Sequence, residues 1–191
     1  PRVLVPRQPA LKALAQLYGA QLAGFYDPDS KRMVLASDLS EDEQALTLYH
    51  ELVHALQDQH YDLSNALDWK PELSDVQSAL QALAEGDAML AMLDVARTAA
   101  GQQPIEVPPG ILQIDSLLMQ AKPELTDVPG FLVRALISPY ANGLSFVSKI
   151  RSGSEGGWAA VDRAWRERPI STEQILHPDK YLAREPVVPV P

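Results

Sequence analysis

No feature of this chain constrains its fold more than the run Tyr49-His50-Glu51-Leu52-Val53-His54. His50 and His54 are four residues apart, a step of about 400° on an α-helix, so their imidazoles lie about 40° apart on one face, one turn up. Two rings so placed can reach a single Zn²⁺ at about 2.0–2.1 Å. Glu51 projects from nearly the same side, where it can take a proton from a water on that ion. All of this requires a helix, and the flanking sequence provides one. Ser40-Glu41-Asp42-Glu43 reads as a capping box with Ser40 at the N-cap and Glu43 at N3. The helix is expected to run to about Gln59, and no Gly or Pro occurs between Asp29 and Lys70 to interrupt it.

Helical projection puts Ala45, Leu48, Tyr49, Leu52 and Leu56 on the main apolar stripe, with His50 and His54 roughly opposite among Glu43, Thr47, Glu51 and Asp58. A solvated helix face has that pattern too. The neighbours decide between the two: Thr47-Leu48 before the motif, Leu52 and Val53 inside it and Ala55-Leu56 after it are all uncharged. The chain has no cysteine, so a metal must be held by histidine and carboxylate.

A catalytic zinc takes three protein ligands and a water, and two residues compete for the third place. His60 lies six residues after His54, but the intervening position that would have to be a helix-breaking glycine is Gln57. On a continuous helix His60 points about 240° away from His54. Its plainer role is a histidine near a helix end. Glu85 lies 31 residues after His54. Ser74-Asp75-Val76-Gln77 reads as a second capping box, opening a helix to about Ala99 with Gly101 as terminator. On that helix Glu85 interrupts a stripe of Ser78, Ala82, Ala88, Met89, Met92 and Ala96. A carboxylate there needs a partner, because burying an unpaired charge is costly. The reading favours Glu85 as third ligand over a plain buried salt bridge, with Gly86 permitting close approach of the two helices.

The remaining sequence reads as follows. Pro1–Pro9 is extended, and Ala10–Tyr18 is a short helix stopped by Gly19. Leu22–Tyr26 and Arg32–Ala36 flank the turn Asp27-Pro28-Asp29-Ser30 and form a β-hairpin. Pro104–Pro109 is a linker. From Gly110 several short helices are expected, broken at Pro123, Pro129, Pro139, Gly153 and Pro169, with a box-like start at Ser171-Thr172-Glu173-Gln174 and a stop at Pro178. The tail Glu185–Pro191 is extended. The expected fold is α+β and mainly helical, a single domain over 1–191. Its first part, about 10–101, holds the hairpin and two ligand helices. A helical subdomain follows at about 110–182, with proline-rich ends at 1–9 and 185–191.

A net charge of −9 argues against nucleic acid and anionic membrane as partners. No apolar run approaches the length of a membrane span. The chain begins with Pro1 and not Met, which reads as a processed or truncated product. A lost targeting segment would be compatible with an extracytoplasmic location, and the compartment stays unassigned. Nothing in the residues fixes an oligomeric state.

His50-Glu51-Leu52-Val53-His54 followed by Glu85-Gly86-Asp87-Ala88 resembles a gluzincin-type metallopeptidase of the zincin superfamily. More closely, the chain resembles uncharacterised bacterial peptidase-MA-like domains. They share runs like Gly24-Phe25-Tyr26-Asp27-Pro28, His54 through His60, Pro139-Tyr140 through Phe146-Val147, and Ser171 through Pro178. The likeness covers most of Leu22–Leu182. It implies a zincin-like fold, zinc held by His50, His54 and Glu85, Glu51 as general base, and a peptide or protein as substrate. The chain departs from the thermolysin-like pattern at Met89, where an aspartate would support a zinc histidine. Asp87 points off that face, so support for the histidines is left unassigned.

Peptide hydrolysis needs a further donor for the tetrahedral oxyanion. His177, at a helix end before a proline, and Tyr140, before Ala141-Asn142-Gly143, are the candidates, with Tyr181 weaker. Their plainer roles are a helix C-cap and a half-buried core aromatic. One hairpin strand is expected to offer an edge for extended substrate. The alternative to an enzyme is a catalytically inactive or latent zincin-like binding module.

Overall fold

The computed structural model describes residues 23–68, 70–104, 128–153 and 156–188. The expected helix Ala10–Tyr18, the ends 1–9 and 189–191, and most of the linker lie outside them. Among the described residues the protein is mainly helical with one two-stranded antiparallel sheet. Strands β1 (Gly24–Asp27) and β2 (Arg32–Leu35) pair in the register Gly24↔Leu35 and Tyr26↔Met33. Asp27 closes the turn by accepting from Asp29 N–H and Ser30 O–H.

Helix α1 (Glu41–Tyr61) starts at the Ser40–Glu43 capping box. Glu43 Oε2 accepts from Ser40 N–H at 2.9 Å and Ser40 Oγ from Glu43 N–H at 3.4 Å. A four-residue helix α2 (Leu63–Ala66) and a 3-10 turn (Pro71–Leu73) lead into α3 (Ser74–Ala99). Then come α4 (Gly130–Arg151), α5 (Trp158–Arg166), α6 (Thr172–Leu176) and α7 (Pro178–Leu182).

Helix α3 is the axis of the core. Ala79, Leu83, Ala84, Ala88 and Leu90 are fully buried along its length. Helix α4 packs against it and contributes Leu144, Phe146 and Val147, while α5 to α7 add Val161, Trp165, Ile175 and Tyr181. Helix α1 packs on α3 too, and the hairpin lies on α1. No described helix is long and apolar enough to cross a membrane.

Four sequence expectations are corrected. First, α1 is turned the other way from its apolar stripe. Leu48, Leu52 and Leu56 are 37%, 44% and 52% exposed, while Glu51, Gln57 and Asp58 are 7%, 3% and 5% exposed. The polar face goes inward because those side chains find partners in the hairpin and on α3, which offset the cost of burying them. Asp58, for instance, accepts from Tyr26 O–H at 2.8 Å and Lys31 Nζ at 2.6 Å, fastening the hairpin to the helix.

Second, Pro139 does not break a helix, since α4 runs through it. The missing N–H would have faced Ala135 O, and Ser138 Oγ donates to that carbonyl at 3.4 Å. Third, Ser74 is not an N-cap. The 3-10 turn feeds directly into α3, and Gln77 instead accepts from Lys70 N–H and donates to Asp68 O. The helix begun at Ser171 does stop before Pro178, as expected, and Pro178 then opens α7. Fourth, the close approach at Gly86 is to α4 and not to the histidine helix. A Cβ on Gly86 would collide with the backbone of Gly143, and one on Gly143 with the carbonyl of Ala82.

Candidate metal centre

His50 and His54 sit on the inward face of α1, and Glu85 projects from the middle of α3. The chain between His54 and Glu85 folds back so that three ligand atoms converge. His50 Nε2 lies 3.0 Å from His54 Nε2 and 3.2 Å from Glu85 Oε2, and His54 Nε2 lies 3.4 Å from the same carboxylate oxygen. Their side chains are 12–14% exposed. This group of two histidines and one glutamate could hold a metal ion.

The three residues also answer one another electrostatically. Burial acts to raise the Glu85 carboxyl, but hydrogen bonds from His50 and His54, with their charge, outweigh it and hold the pKa down at about 2. Burial acts to lower His54. The hydrogen bond and charge of Glu85, the bond to Gln57 and the charge of Glu51 outweigh that and hold it up at about 9. A proton on His54 thus balances Glu85 where a cation would.

Glu51 is buried beside the group, and its Oε2 accepts from the backbone N–H of Tyr26 at 2.7 Å. The bond Ala36 N–H to Ala23 O fixes which way the ladder faces. Gly24 and Tyr26 therefore direct their N–H groups to the edge of β1 away from β2. That edge lies along α1 at Glu51. A cavity of about 330 Å³ opens beside His54 and Glu85, lined also by Tyr26, Leu63, Leu67 and Gln81.

Tyr140 reaches the group from α4. Its ring stacks on His50 at 6.2 Å between centroids and 26° between planes. Burial first, then the charges of Glu85 and Glu51 and a hydrogen bond to Glu85, push its hydroxyl well above the usual phenol range.

His177 is placed elsewhere. It is exposed at the junction of α6 and α7, its N–H bonded to Glu173 O. Thr172 of the same helix bonds Asp75, ten residues or about 15 Å along α3 from Glu85. Tyr181 is buried with its hydroxyl on Glu167 O. His60 is exposed on the last turn of α1, away from the group.

Two residues of the site were not singled out in the sequence as partners of the histidines. Gln57 Oε1 lies 2.9 Å from His54 Nδ1, and Gln57 in turn bonds Asp87. Gln57 stands three residues after His54, and that spacing alone makes the two neighbours on a helix.

A half-buried His–His–Glu group spanning two packed helices defines a helical protein with a candidate metal centre. Residues 6–102 match the model of a family described as "Putative metallopeptidase family (DUF6782)", and the chain belongs to that family. The match takes in the hairpin, both ligand-bearing helices, Gln57 and Asp87, and a peptidase family points to peptide or protein substrates. No curated protein and no solved structure matches the chain.

Proposed function

We propose that this chain is a zinc-dependent peptidase of the HExxH-plus-glutamate type with a zincin-like arrangement of its site. The observation that carries the reading is the convergence of His50 Nε2, His54 Nε2 and Glu85 Oε2 at 3.0–3.4 Å. Ligand atoms about 2.1 Å from a tetrahedral zinc lie about 3.4 Å apart. The spacing and the donor set, two imidazoles and one carboxylate, both fit that ion. When bound, zinc supplies a Lewis acid that acidifies a water and polarises the scissile carbonyl.

The chain's own groups do the rest. Glu51 serves as general base, taking the proton of the attacking water and passing it to the leaving amine. The Tyr26 N–H holds one of its oxygens and leaves the other for proton transfer. Tyr140 keeps its proton at neutral pH and is therefore available as a donor to the developing oxyanion. Its place beside His50 makes it the better candidate than His177. One edge of the hairpin would align an extended peptide by strand addition.

An inactive or latent binding module remains the alternative, and it gives Glu51 no chemical task. The test is cleavage of a denatured protein by zinc-loaded wild type and by Glu51→Gln. Glutamine keeps an acceptor for Tyr26 N–H, so the fold is expected to survive. Cleavage by wild type and none by the variant supports the peptidase. No cleavage by wild type, or equal cleavage by both, contradicts it.

A further inference from the structure

His54 is held from behind through a chain of hydrogen bonds that reaches into the C-terminal helices. A carboxamide oxygen only accepts and its nitrogen only donates, so the way Gln57 is turned decides what His54 Nδ1 must do. The other end of Gln57 settles the turn. Its Nε2 lies 3.1 Å from Ala84 O and 2.9 Å from Asp87 Oδ2. The carbonyl can only accept. Asp87 Oδ2 is fixed as an acceptor too, because the indole N–H of Trp165, which can only donate, lies 2.9 Å from it. Reversing the amide would set its oxygen against two acceptors, with Gln57 3% and Asp87 9% exposed and little solvent to relieve them. Gln57 Oε1 therefore faces the ring and Nδ1 carries hydrogen. Nε2, which faces His50 and Glu85, is then the nitrogen left to take a metal once it gives up its proton.

We propose that Gln57, oriented by Ala84 O, Asp87 and Trp165, is the positioning residue that fixes the ring plane and tautomer of His54 for metal binding. The inference rests on the metal reading of His54 but not on catalysis. It also gives α5 a task at the site: Trp165, stacked on Tyr61 at 4.7 Å, locks the ligand-bearing helix from the far side of the core.

Two readouts on the full chain test it. Zinc affinity, measured by chelator competition, is expected to fall about 10–100-fold in Gln57→Met, which keeps the volume and loses the bond. It is expected to stay within about threefold in Gln59→Met, the same substitution at an exposed position of the same helix. Nitrogen-15 NMR of zinc-loaded wild type, which needs no variant, should show a protected Nδ1–H on His54. That signal should persist in Gln59→Met and be lost in Gln57→Met. Wild type lacking the Nδ1–H, or Gln57→Met binding zinc as tightly as wild type, would overturn the proposal. Zinc bound without any hydrolysis would leave it standing and remove only the peptidase. No zinc bound by wild type would remove both.

Discussion

Gly86 of α3 and Gly143 of α4 meet backbone to backbone, with no room for a Cβ on either. Glu85 is the residue before Gly86, and Tyr140 lies three before Gly143 on the same helix. The glycine contact therefore sets how closely the Tyr140 ring approaches the ligand group.

Gly86→Ala should be strongly destabilising, because a methyl there meets main chain that cannot move aside. Overpacking of this kind costs about 3 kcal/mol, or roughly 6–12 °C in Tm for a chain of this size. Gly130→Ala, where a Cβ meets nothing within 4 Å, should leave Tm nearly unchanged. Thermal unfolding of the two variants checks this, and equal Tm values would contradict the packing described.

Tyr140→Phe should lower kcat by about 10²-fold, the cost of losing one donor to an oxyanion. Zinc affinity should stay within a few-fold, since Tyr140 touches the ligands without being one. Steady-state kinetics on a single peptide substrate beside chelator competition separates the two effects. A kcat equal to wild type would remove Tyr140 from the reaction.

The pH dependence follows from His54 and Glu85. His54 is raised from 6.5 to about 9, so its stabilising contribution is complete below the unfolded value and is lost as pH rises through about 9. Glu85 is lowered from 4.5 to about 2, so its contribution is present above the unfolded value and is lost as pH falls through about 2. The Tm of metal-free protein should therefore fall between pH 6.5 and 10. A metal requires neutral imidazole, so zinc affinity should climb with pH up to about 9 and then level off. Calorimetry at several pH values checks both signs, and a metal-free Tm that rises over that range would contradict them.

Much of the local structure was legible because it depends on neighbouring residues. The Ser40–Glu43 cap, the hairpin turn at Asp27–Ser30 and the shared face of His50 and His54 each follow from spacings of four residues or fewer. Orientation was not legible. Projection shows which residues of α1 share a face, but burying Glu51, Gln57 and Asp58 depends on partners from the hairpin and α3. The exposed Leu48, Leu52 and Leu56 show that the apolar stripe did not decide. Pro139 misled for a related reason: the helix around it is held by packing on α3, which outweighs one lost hydrogen bond. Glu85 could be suspected because it interrupts a stripe of small residues. Gln57 was marked only as a helical neighbour of His54 by its spacing, and Asp87 gave no sign, since an amide and a carboxylate are ordinary on a helix until the facing helix is in place.

The most direct test of the account is zinc stoichiometry and affinity for wild type beside Glu85→Ala. The account predicts one tightly bound zinc per chain, lost or greatly weakened in the variant. Zinc held equally well without the Glu85 carboxylate, or no zinc in wild type after metal loading, would contradict the three-ligand centre on which the proposed function stands.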